Sequence, residues 1–240
     1  METRTQRHTA PQRDPECSEG EVLLVRKPKG WTSFDVVNKL RSVLHVRKVG
    51  HAGTLDPMAT GLLIVCTGKQ TKHIDQFLGL EKEYAVQMTL GARTPSYDAV
   101  TEVSERRSVE GITEEAVRET LKGFVGHQIQ LPPMWSAAKV GGKRLYTYAR
   151  RGETVERKPR EIFIRSIVLT GMQMAEVTCT VICSKGTYVR SLVDDIGLRL
   201  GCGAHVSALE RTRIGEFRLA DAFTIEEIAT RHQNTLHRSV

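Results

Sequence analysis

The chain has 240 residues, of which 40% are hydrophobic and 26% are charged, and its formal net charge at pH 7 is +7. This composition is ordinary for a globular protein with one large domain or two small ones. The longest apolar runs, such as GLLIVC, are too short to span a bilayer, and the N-terminus METRTQRHTAPQRDPECSEGE lacks the apolar core of a signal peptide. We therefore expect a cytoplasmic protein without a membrane segment.

The cysteine pattern argues against disulfide bonds and against a metal site. Cys17, Cys66, Cys179, Cys183 and Cys202 form no C-x-x-C pair. An odd, unpatterned set is typical of free thiols that are buried as small hydrophobic side chains. No neighbouring histidine completes a zinc site with the two cysteines that would share a strand face. We expect no bound metal.

The first regular elements follow a polar segment, residues 1–20, which is predicted to be disordered. EVLLVRKPKG predicts a strand that ends at Pro28 and Gly30. TSFDVVNKLRSVLH predicts a helix, because Thr32 and Asp35 have capping-box spacing and the apolar residues share one face. Further strands are predicted in GLLIVCTG, KEYAVQMTLG, EIFIRSIVLT and EVTCTVICSKG, and further helices in ITEEAVRETLKGFVG, RLYTYARRG, TYVRSLVDDIGLRLG and TIEEIATRHQ. Because strands and helices alternate irregularly, the pattern predicts an α+β domain in which helices pack on a mixed sheet.

The segment VGHAGTLDPMATGLL, residues 49–63, contains three glycines and an Asp-Pro step before an apolar run. Its simplest interpretation is a turn, in which Asp56 caps a short helix that begins at Pro57. The other interpretation is a constrained loop that presents the Asp56 carboxylate for chemistry. The segment alone does not decide between them.

Basic residues are concentrated in residues 139–165, which contain nine lysines and arginines and three glutamates. The same segment contains Tyr146 and Tyr148. A localised basic stripe is the electrostatic signature of a polyanion ligand, most often a nucleic acid. A solvated surface with flexible cationic side chains is the alternative, and the clustering favours RNA or DNA.

The sequence contains no complete copy of the common motifs for cofactor binding and hydrolysis. CTGKQTK lacks two residues of a P-loop, because Leu63 stands where a glycine is needed and Gln70 where Ser or Thr is needed. GCGAHV begins like a dinucleotide fingerprint, but Val206 replaces the third glycine and the motif follows a helix. The motifs of zinc deaminases and of serine hydrolases are absent. We therefore expect no cofactor, so that any chemistry must come from side chains.

Four segments occur in this order: LLVRKPKGWTS, GHAGTLDPMATGLLIVCTGKQTK, KEYAVQMTLGARTPSYDA and CSKGTYVRSLVDDIGLRLGCGAHVSALERTRIGEF. Together they resemble the tRNA pseudouridine synthase B (TruB) family over residues 23–223, and the last segment resembles its bacterial, stand-alone branch. The resemblance implies the pseudouridine synthase fold, a curved mixed, mostly antiparallel sheet with helices packed on it and a central active-site cleft. It also implies isomerisation of uridine to pseudouridine at position 55, in the TΨC loop of tRNA. We expect a monomer that binds the T-arm of tRNA and needs no protein partner.

By this resemblance, three residues carry the chemistry. Asp56 matches the family's catalytic nucleophile, and whether it attacks C6 of the base or C1′ of the sugar stays open. Arg190 matches the arginine that pairs with this aspartate, although the helix pattern alone equally allows a surface residue. Tyr84 matches the tyrosine that stacks on the uracil and is a candidate for the proton step at C5. For a strand tyrosine, simple core packing is the alternative.

The other site residues also follow from the resemblance. Tyr188 and Leu209 match residues of the base pocket, and His51 matches the histidine that fills the space left by the flipped base. Lys27 matches a lysine-proline motif that buttresses the aspartate loop, and Asp98 matches an acid close to the site. The residues expected to follow the RNA phosphates are Lys139, Lys143, Arg144, Arg150 and Arg151.

Longer family members carry a C-terminal PUA domain, for which the residues after IGEF are too few. The expected organisation is a disordered tail at 1–20, a catalytic domain at 21–223, and a short C-terminal helix and tail at 224–240 without a PUA domain. An isolated T-arm hairpin is then expected to be nearly as good a substrate as full tRNA. Three alternatives remain open: a non-catalytic RNA-binding or tRNA-folding module, a guide-dependent synthase that acts on another RNA, and a structural scaffold.

Overall fold

The computed structural model describes residues 19–173 and 175–238. The tail expected at residues 1–20 lies outside the described residues except for Glu19 and Gly20, which run beside Thr67 and Lys69. Within the described ranges, no helix combines the length and the apolar composition that are needed to cross a membrane.

The regular elements are short and numerous. The strands are β1 Val22–Lys27, β2 Val49–Ala52, β3 Thr60–Thr67, β4 Lys82–Leu90, β5 Ala92–Arg93, β6 Glu105–Arg106, β7 Gly126–Gln130, β8 Lys139–Val140, β9 Lys143–Arg144, β10 Arg160–Gln173, β11 Glu176–Cys183, β12 Ala204–Ile214 and β13 Phe217–Arg218. The α-helices are α1 Ser33–Val43, α2 Ile74–Leu78, α3 Glu114–Lys122, α4 Leu145–Ala149, α5 Val189–Arg199 and α6 Ile225–Arg238. Two 3₁₀ helices cover Gly68–His73 and Leu219–Asp221.

Nine of the described strands form one sheet, whose main path runs β1-β3-β12-β4-β11-β10-β7. Strand β2 pairs with β3 and β13 pairs with β12 at the side of this path. The contact between β12 and β3 is parallel, and the other pairings within this sheet are antiparallel. This architecture confirms the predicted α+β class and the mixed, mostly antiparallel sheet.

The half of the sheet around β4, β11 and β10 is covered on one face by helices α3 and α5. Burial alternates along β11, as expected for a strand with one face in the core. On the helix side, Val117 and Leu121 of α3 and Leu192 and Ile196 of α5 pack against this face. Removing this apolar surface from water is the main term that stabilises this half.

Strand β3 has both faces covered. Leu63 and Val65 pack in a cluster with residues of α1 and α6, whereas Leu62 and Ile64 pack in a second cluster with Phe77 of α2. A strand buried on both faces reads as a continuous apolar run, which is the pattern of GLLIVC. The parallel contact between β3 and β12 therefore joins two differently packed halves of the sheet, and the loop that precedes β3 lies at this junction.

The sequence predicted most elements within a few residues and missed others. Helix α1 begins at the predicted capping box of Thr32 and Asp35. Strands β2, β7 and β12 were not predicted. The longest of these, β12, carries a β-bulge near Val206 that shifts its register against β4, so its buried positions do not follow a simple alternation.

Candidate active site

A loop between β2 and β3 carries Asp56. The Leu55 N–H donates to Ser33 Oγ at 2.9 Å, which fixes the loop against the start of α1. The Ala59 N–H donates to the Asp56 carbonyl at 3.1 Å. This bond closes a turn, and no helix begins at Pro57. The loop holds the Asp56 side chain 34% exposed, so the carboxylate is fixed but accessible.

Arg190, at the start of α5, is the ion-pair partner of Asp56. Its Nε donates to Asp56 Oδ2 at 2.8 Å, and its side chain is only 4% exposed. Its Nη1 and Nη2 atoms donate to the main-chain carbonyls of Ser96 and Trp135, each at 2.8 Å. Because three separate loops hold one planar guanidinium, its orientation is fixed. The interpretation of Arg190 as a surface residue is therefore excluded.

Asp98 lies behind Arg190 rather than in the open site. Its Oδ2 is 3.5 Å from Arg190 Nη1, and its side chain is 5% exposed. Its Oδ1 accepts hydrogen bonds from the Ser96 hydroxyl at 2.6 Å and from the Val100 N–H at 3.0 Å. Arg190 is thus placed between two carboxylates, of which only Asp56 is accessible.

Lys27 lies beneath the Asp56 loop and is fully buried. Its Nζ donates to the carbonyls of Trp31 at 2.6 Å, Pro28 at 2.9 Å and Pro57 at 3.4 Å. Burial lowers the pKa of Lys27 to about 8, and the nearby Asp56 carboxylate works against this shift. The lysine therefore joins the end of β1 to the residue that follows Asp56, as expected for a residue that supports the loop.

Asp56 and Arg190 open onto a cleft of about 630 Å³. Tyr84 of β4 and Leu209 of β12 form part of its wall, and Tyr188 lines it from the residue that precedes α5. Tyr84 is 8% exposed and Leu209 is 7% exposed, so both also pack in the core. The cleft has the size and the mixed polar and apolar lining typical of a small-ligand site.

The Tyr188 backbone is held by a buried amide that the sequence reasoning did not identify. The Tyr188 N–H donates to Gln130 Oε1 at 2.7 Å, and Gln130 Nε2 donates to the Tyr188 carbonyl at 3.1 Å. Tyr188 is the N-cap residue of α5 and receives no side-chain cap. Gln130 therefore fixes the peptide two residues before Arg190 from the end of β7.

Two further cations that the sequence reasoning did not single out line the cleft. Lys82 Nζ donates to the Leu80 and Leu78 carbonyls at 2.6 and 2.7 Å. Burial lowers the pKa of Lys82 to about 8, and the charge of Arg211 contributes to the shift. Arg211 is 1% exposed, and its Nε and Nη2 donate to the carbonyls of Leu62 at 2.8 Å and Gly53 at 3.1 Å.

A close backbone approach at Gly61 makes the position of Arg211 possible. Gly61 has φ of +108°, and a Cβ atom there would lie 2.4 Å from the Arg211 carbonyl oxygen. Only glycine fits such a contact. Gly61, the first residue of GLLIVC, is consistent with a close approach of another backbone segment. The sequence alone could not identify β12 as that segment.

His51 lies on β2, outside the set of residues that line the cleft. Burial lowers the pKa of its imidazole, and the charge of Arg211 adds to this effect. Its Nδ1 is buried and has no hydrogen-bond partner among the described residues. The structure thus places His51 beside the Asp56 loop, close to Gly53 and Arg211 of the cleft lining.

The basic residues lie on a hairpin and a short helix next to the cleft. Residues 139–151, called here the basic hairpin segment, comprise β8, β9 and α4. The residues that precede them, including Ser136, line the cleft. Arg144 and Arg150 lie over the Tyr146 ring, at 5.9 and 5.4 Å from its centroid. The exposed cations of this segment are the five predicted ones, Lys139, Lys143, Arg144, Arg150 and Arg151.

Two protein-family models together match nearly the whole chain. The model of the TruB family pseudouridylate synthase N-terminal domain matches residues 41–189. The model of the tRNA pseudouridylate synthase B C-terminal domain matches residues 190–239. The boundary between the two matches falls between Val189 and Arg190, so both contribute to the cleft described above.

Several curated proteins called tRNA pseudouridine synthase B are similar over most of this chain. One from Phocaeicola vulgatus is 50% identical over 214 residues, which cover 87% of this chain and 91% of that protein. One from Chlorobium luteolum is 47% identical over 229 residues, which cover 93% of this chain and 78% of that protein.

Among solved structures, a chain in a Cbf5-Nop10-Gar1 complex matches this fold. The match has a TM-score of 0.72 and 29% sequence identity, and it covers 93% of this chain. This chain spans only 57% of that longer chain. A similar chain occurs in an H/ACA RNP bound to a substrate RNA containing 2′-deoxyuridine, with a TM-score of 0.70 and 27% identity.

Proposed function

The chain belongs to the TruB family of tRNA pseudouridine synthases, so its reaction is the conversion of uridine to pseudouridine in tRNA, and we propose that it acts on the TΨC loop through Asp56. The observation that carries this proposal is the accessible Asp56 carboxylate, held by a buried Arg190 at the mouth of the cleft. The reaction breaks the N1–C1′ bond, forms a C5–C1′ bond, removes the C5 proton and places a proton on N1. It is an isomerisation without net redox change.

Asp56 is assigned the role of nucleophile. A carboxylate can open this reaction by forming a covalent adduct, which divides one difficult step into easier ones. Arg190 compensates the Asp56 charge through Nε and is itself fixed by the Ser96 and Trp135 carbonyls. Among the described residues, no hydrogen bond occupies the Asp56 Oδ1 atom, which leaves it for the substrate.

Tyr84, Leu209 and Tyr188 are assigned to the flipped uridine. A base inside a folded RNA loop must leave its stack before chemistry, at a cost of a few kcal/mol. Stacking on an aromatic ring returns about 1–3 kcal/mol per base. The volume of about 630 Å³ is sufficient for one nucleotide beside these walls. Tyr84 is also assigned the removal of the proton from C5.

The basic hairpin segment is assigned to the phosphates of the T-arm. Its cations are exposed, so they contribute affinity through the RNA backbone and carry no sequence information. Its position beside the cleft mouth suits a T-arm whose loop enters the cleft. We propose that the enzyme binds the T-arm as a monomer.

The test is to incubate an unmodified tRNA transcript with wild-type protein and with Asp56→Asn, and to map pseudouridine by position. We expect one pseudouridine in the TΨC loop with wild type and none with the variant, since the amide is a poor nucleophile. RNA affinity, measured by filter binding, should be similar for both proteins, because Asn occupies the same space.

Three outcomes would change the assignment. Product at equal rates with Asp56→Asn would remove Asp56 from the mechanism. Product at another position would remove the TΨC loop as the target. Binding without any modification by wild type would favour an RNA-folding module.

A further inference from the structure

Arg211 differs from Arg190 in its charge balance, although both line the same cleft. Arg190 lies within 4 Å of two carboxylates. Among the described residues, Arg211 forms no ion pair, and its hydrogen bonds go to the neutral carbonyls of Leu62 and Gly53. A buried charge is costly unless it is compensated. Within the described ranges, the cleft therefore contains one guanidinium that no carboxylate pairs with.

The Tyr84 phenol is an ionisable group beside Arg211 that could supply a negative charge. Arg211 of β12 and Tyr84 of β4 are directly paired in the antiparallel register, so their side chains share one face. Burial raises the pKa of the Tyr84 phenol, whereas the positive charge of Arg211 opposes this shift. Lys82 and Arg211 are neighbouring charges on the same wall of the cleft.

We propose that Arg211 is a positioning residue that acts through Tyr84, as the counter-charge of the phenolate that accepts the C5 proton. This inference rests on the proposed function and deepens it. The neutral Tyr84 phenol first releases its proton to solvent, and Arg211 compensates the charge of the phenolate that forms. After C1′ has been joined to C5, the C5–H bond breaks and its proton passes to the phenolate oxygen. The electron pair of that bond re-forms the C5–C6 double bond, the electron pair of the C6–N1 double bond moves to N1, and N1 gains the proton from solvent. Tyr84 is then again a neutral phenol, so the proton count and the charge of the site are restored.

The contacts of Arg211 suit this role. Its Nε and Nη2 are held by β3 and by the Asp56 loop, so the guanidinium cannot turn away from Tyr84. A fixed cation beside the Tyr84 phenol stabilises the phenolate as it forms, and it needs no reorganisation to do so. The hydrogen bond from Arg211 to Gly53 also joins the Asp56 loop to β12, the strand that is paired with β4 at Tyr84. It therefore helps to set the distance between Asp56 and Tyr84.

The experiment compares two neutral variants, Arg211→Gln and Arg211→Met, with the charged variant Arg211→Lys. Single-turnover rates are measured on tRNA transcripts made with ordinary uridine and with uridine deuterated at C5. We expect the neutral variants to be slowed by about 10²-fold and to show a larger C5 isotope effect than wild type, because proton removal becomes the slow step. The lysine variant should be faster than both and keep an isotope effect close to the wild-type value.

Thermal unfolding identifies the variants that fold, and either neutral variant is sufficient. As a matched control, Arg190→Lys should slow the reaction without a larger C5 isotope effect, because Arg190 serves Asp56. Slowed neutral variants with the wild-type isotope effect would overturn the inference and leave Arg211 a structural role. Lost RNA affinity with an unchanged isotope effect would instead assign the charge to an RNA phosphate. If wild type makes no pseudouridine, the proposed function itself fails, which is a separate result.

Discussion

The cleft and the basic hairpin segment both present positive charge, but they hold it in opposite ways. In or beneath the cleft, Lys27, Arg190 and Arg211 are buried, and each is fixed by two or more main-chain carbonyls. In residues 139–151, the cations are exposed, and within the described structure none of them forms an ion pair. One region has buried cations with fixed directions, and the other has exposed cations that water screens.

This difference separates two kinds of function. Fixed charges in a region with little water can distinguish a transition state from a ground state, because they need no reorganisation. Exposed charges act mainly on association with a polyanion, and salt weakens them. Variants of the cleft should therefore change turnover, and variants of the basic hairpin segment should change affinity.

Among variants of the cleft cations, Arg190→Met should have the largest effect. We expect turnover at saturating tRNA to fall by about 10²–10³-fold, because Asp56 loses the group that orients and compensates it. RNA affinity should change little, since Arg190 is buried and its donors already bond to protein groups. Pseudouridine formation under single-turnover conditions and filter binding measure the two quantities.

A control for this variant is needed because removing one member of a buried ion pair also costs about 3–5 kcal/mol of stability. Arg190→Lys keeps a charge but loses the planar fork, so its activity should lie between those of wild type and Arg190→Met. Thermal unfolding shows which variants are folded at the assay temperature. Near-normal turnover in folded Arg190→Met would contradict the role assigned here.

The effect predicted for the basic hairpin segment is smaller, and it concerns tRNA affinity rather than turnover. In the double variant Lys139→Ser, Lys143→Ser, we expect weaker tRNA binding and a shallower dependence of log Kd on log salt, by about 1.5 for two lost phosphate contacts. Turnover at saturating tRNA should be unchanged. The matched double variant Arg118→Ser, Lys122→Ser removes two cations of α3 that are already paired with glutamates. An equal loss of affinity in both double variants would show that net charge alone controls binding.

The sequence predicted the local chemistry of the site better than its assembly. The order of motifs predicted Asp56, Tyr84 and Arg190 as site residues, and the structure brings Asp56 and Arg190 into an ion pair. Elements with strong local signals, such as the capping box of α1 and the alternation of β11, were predicted with nearly correct ends. These signals depend on neighbours within a few residues, so sequence alone contains them.

Strand β12 and the burial of Arg211 could not be predicted in this way. The bulge near Val206 breaks the two-residue period that identifies a half-buried strand. Arginine is a residue type that is rarely buried, and the acceptors of Arg211 are main-chain carbonyls 149 and 158 positions away in sequence. Gln130 was missed for the same reason, since its partner Tyr188 is 58 positions away.

A change at Lys27 tests whether the cation beneath the cleft serves the fold. In Lys27→Met, three carbonyl acceptors lose their common donor, and we expect a loss of about 1–3 kcal/mol in the free energy of unfolding. The folded-state pKa of Lys27 is lowered to about 8, whereas an unfolded lysine titrates near 10.4. Between these values the unfolded chain binds more protons, so the stability of wild type relative to Lys27→Met should rise with pH.

Urea unfolding of both proteins at pH 7 and pH 9.5 measures this difference. The destabilisation caused by Lys27→Met should be larger at pH 9.5, because the wild-type protein has by then lost the cost of burying a charged ammonium. A destabilisation that shrinks between the two pH values would contradict the lowered pKa. A large loss of RNA affinity in folded Lys27→Met would contradict the distinction between buried and exposed cations. A fully buried cation would then contribute to RNA binding as the exposed cations of the basic hairpin segment are expected to do.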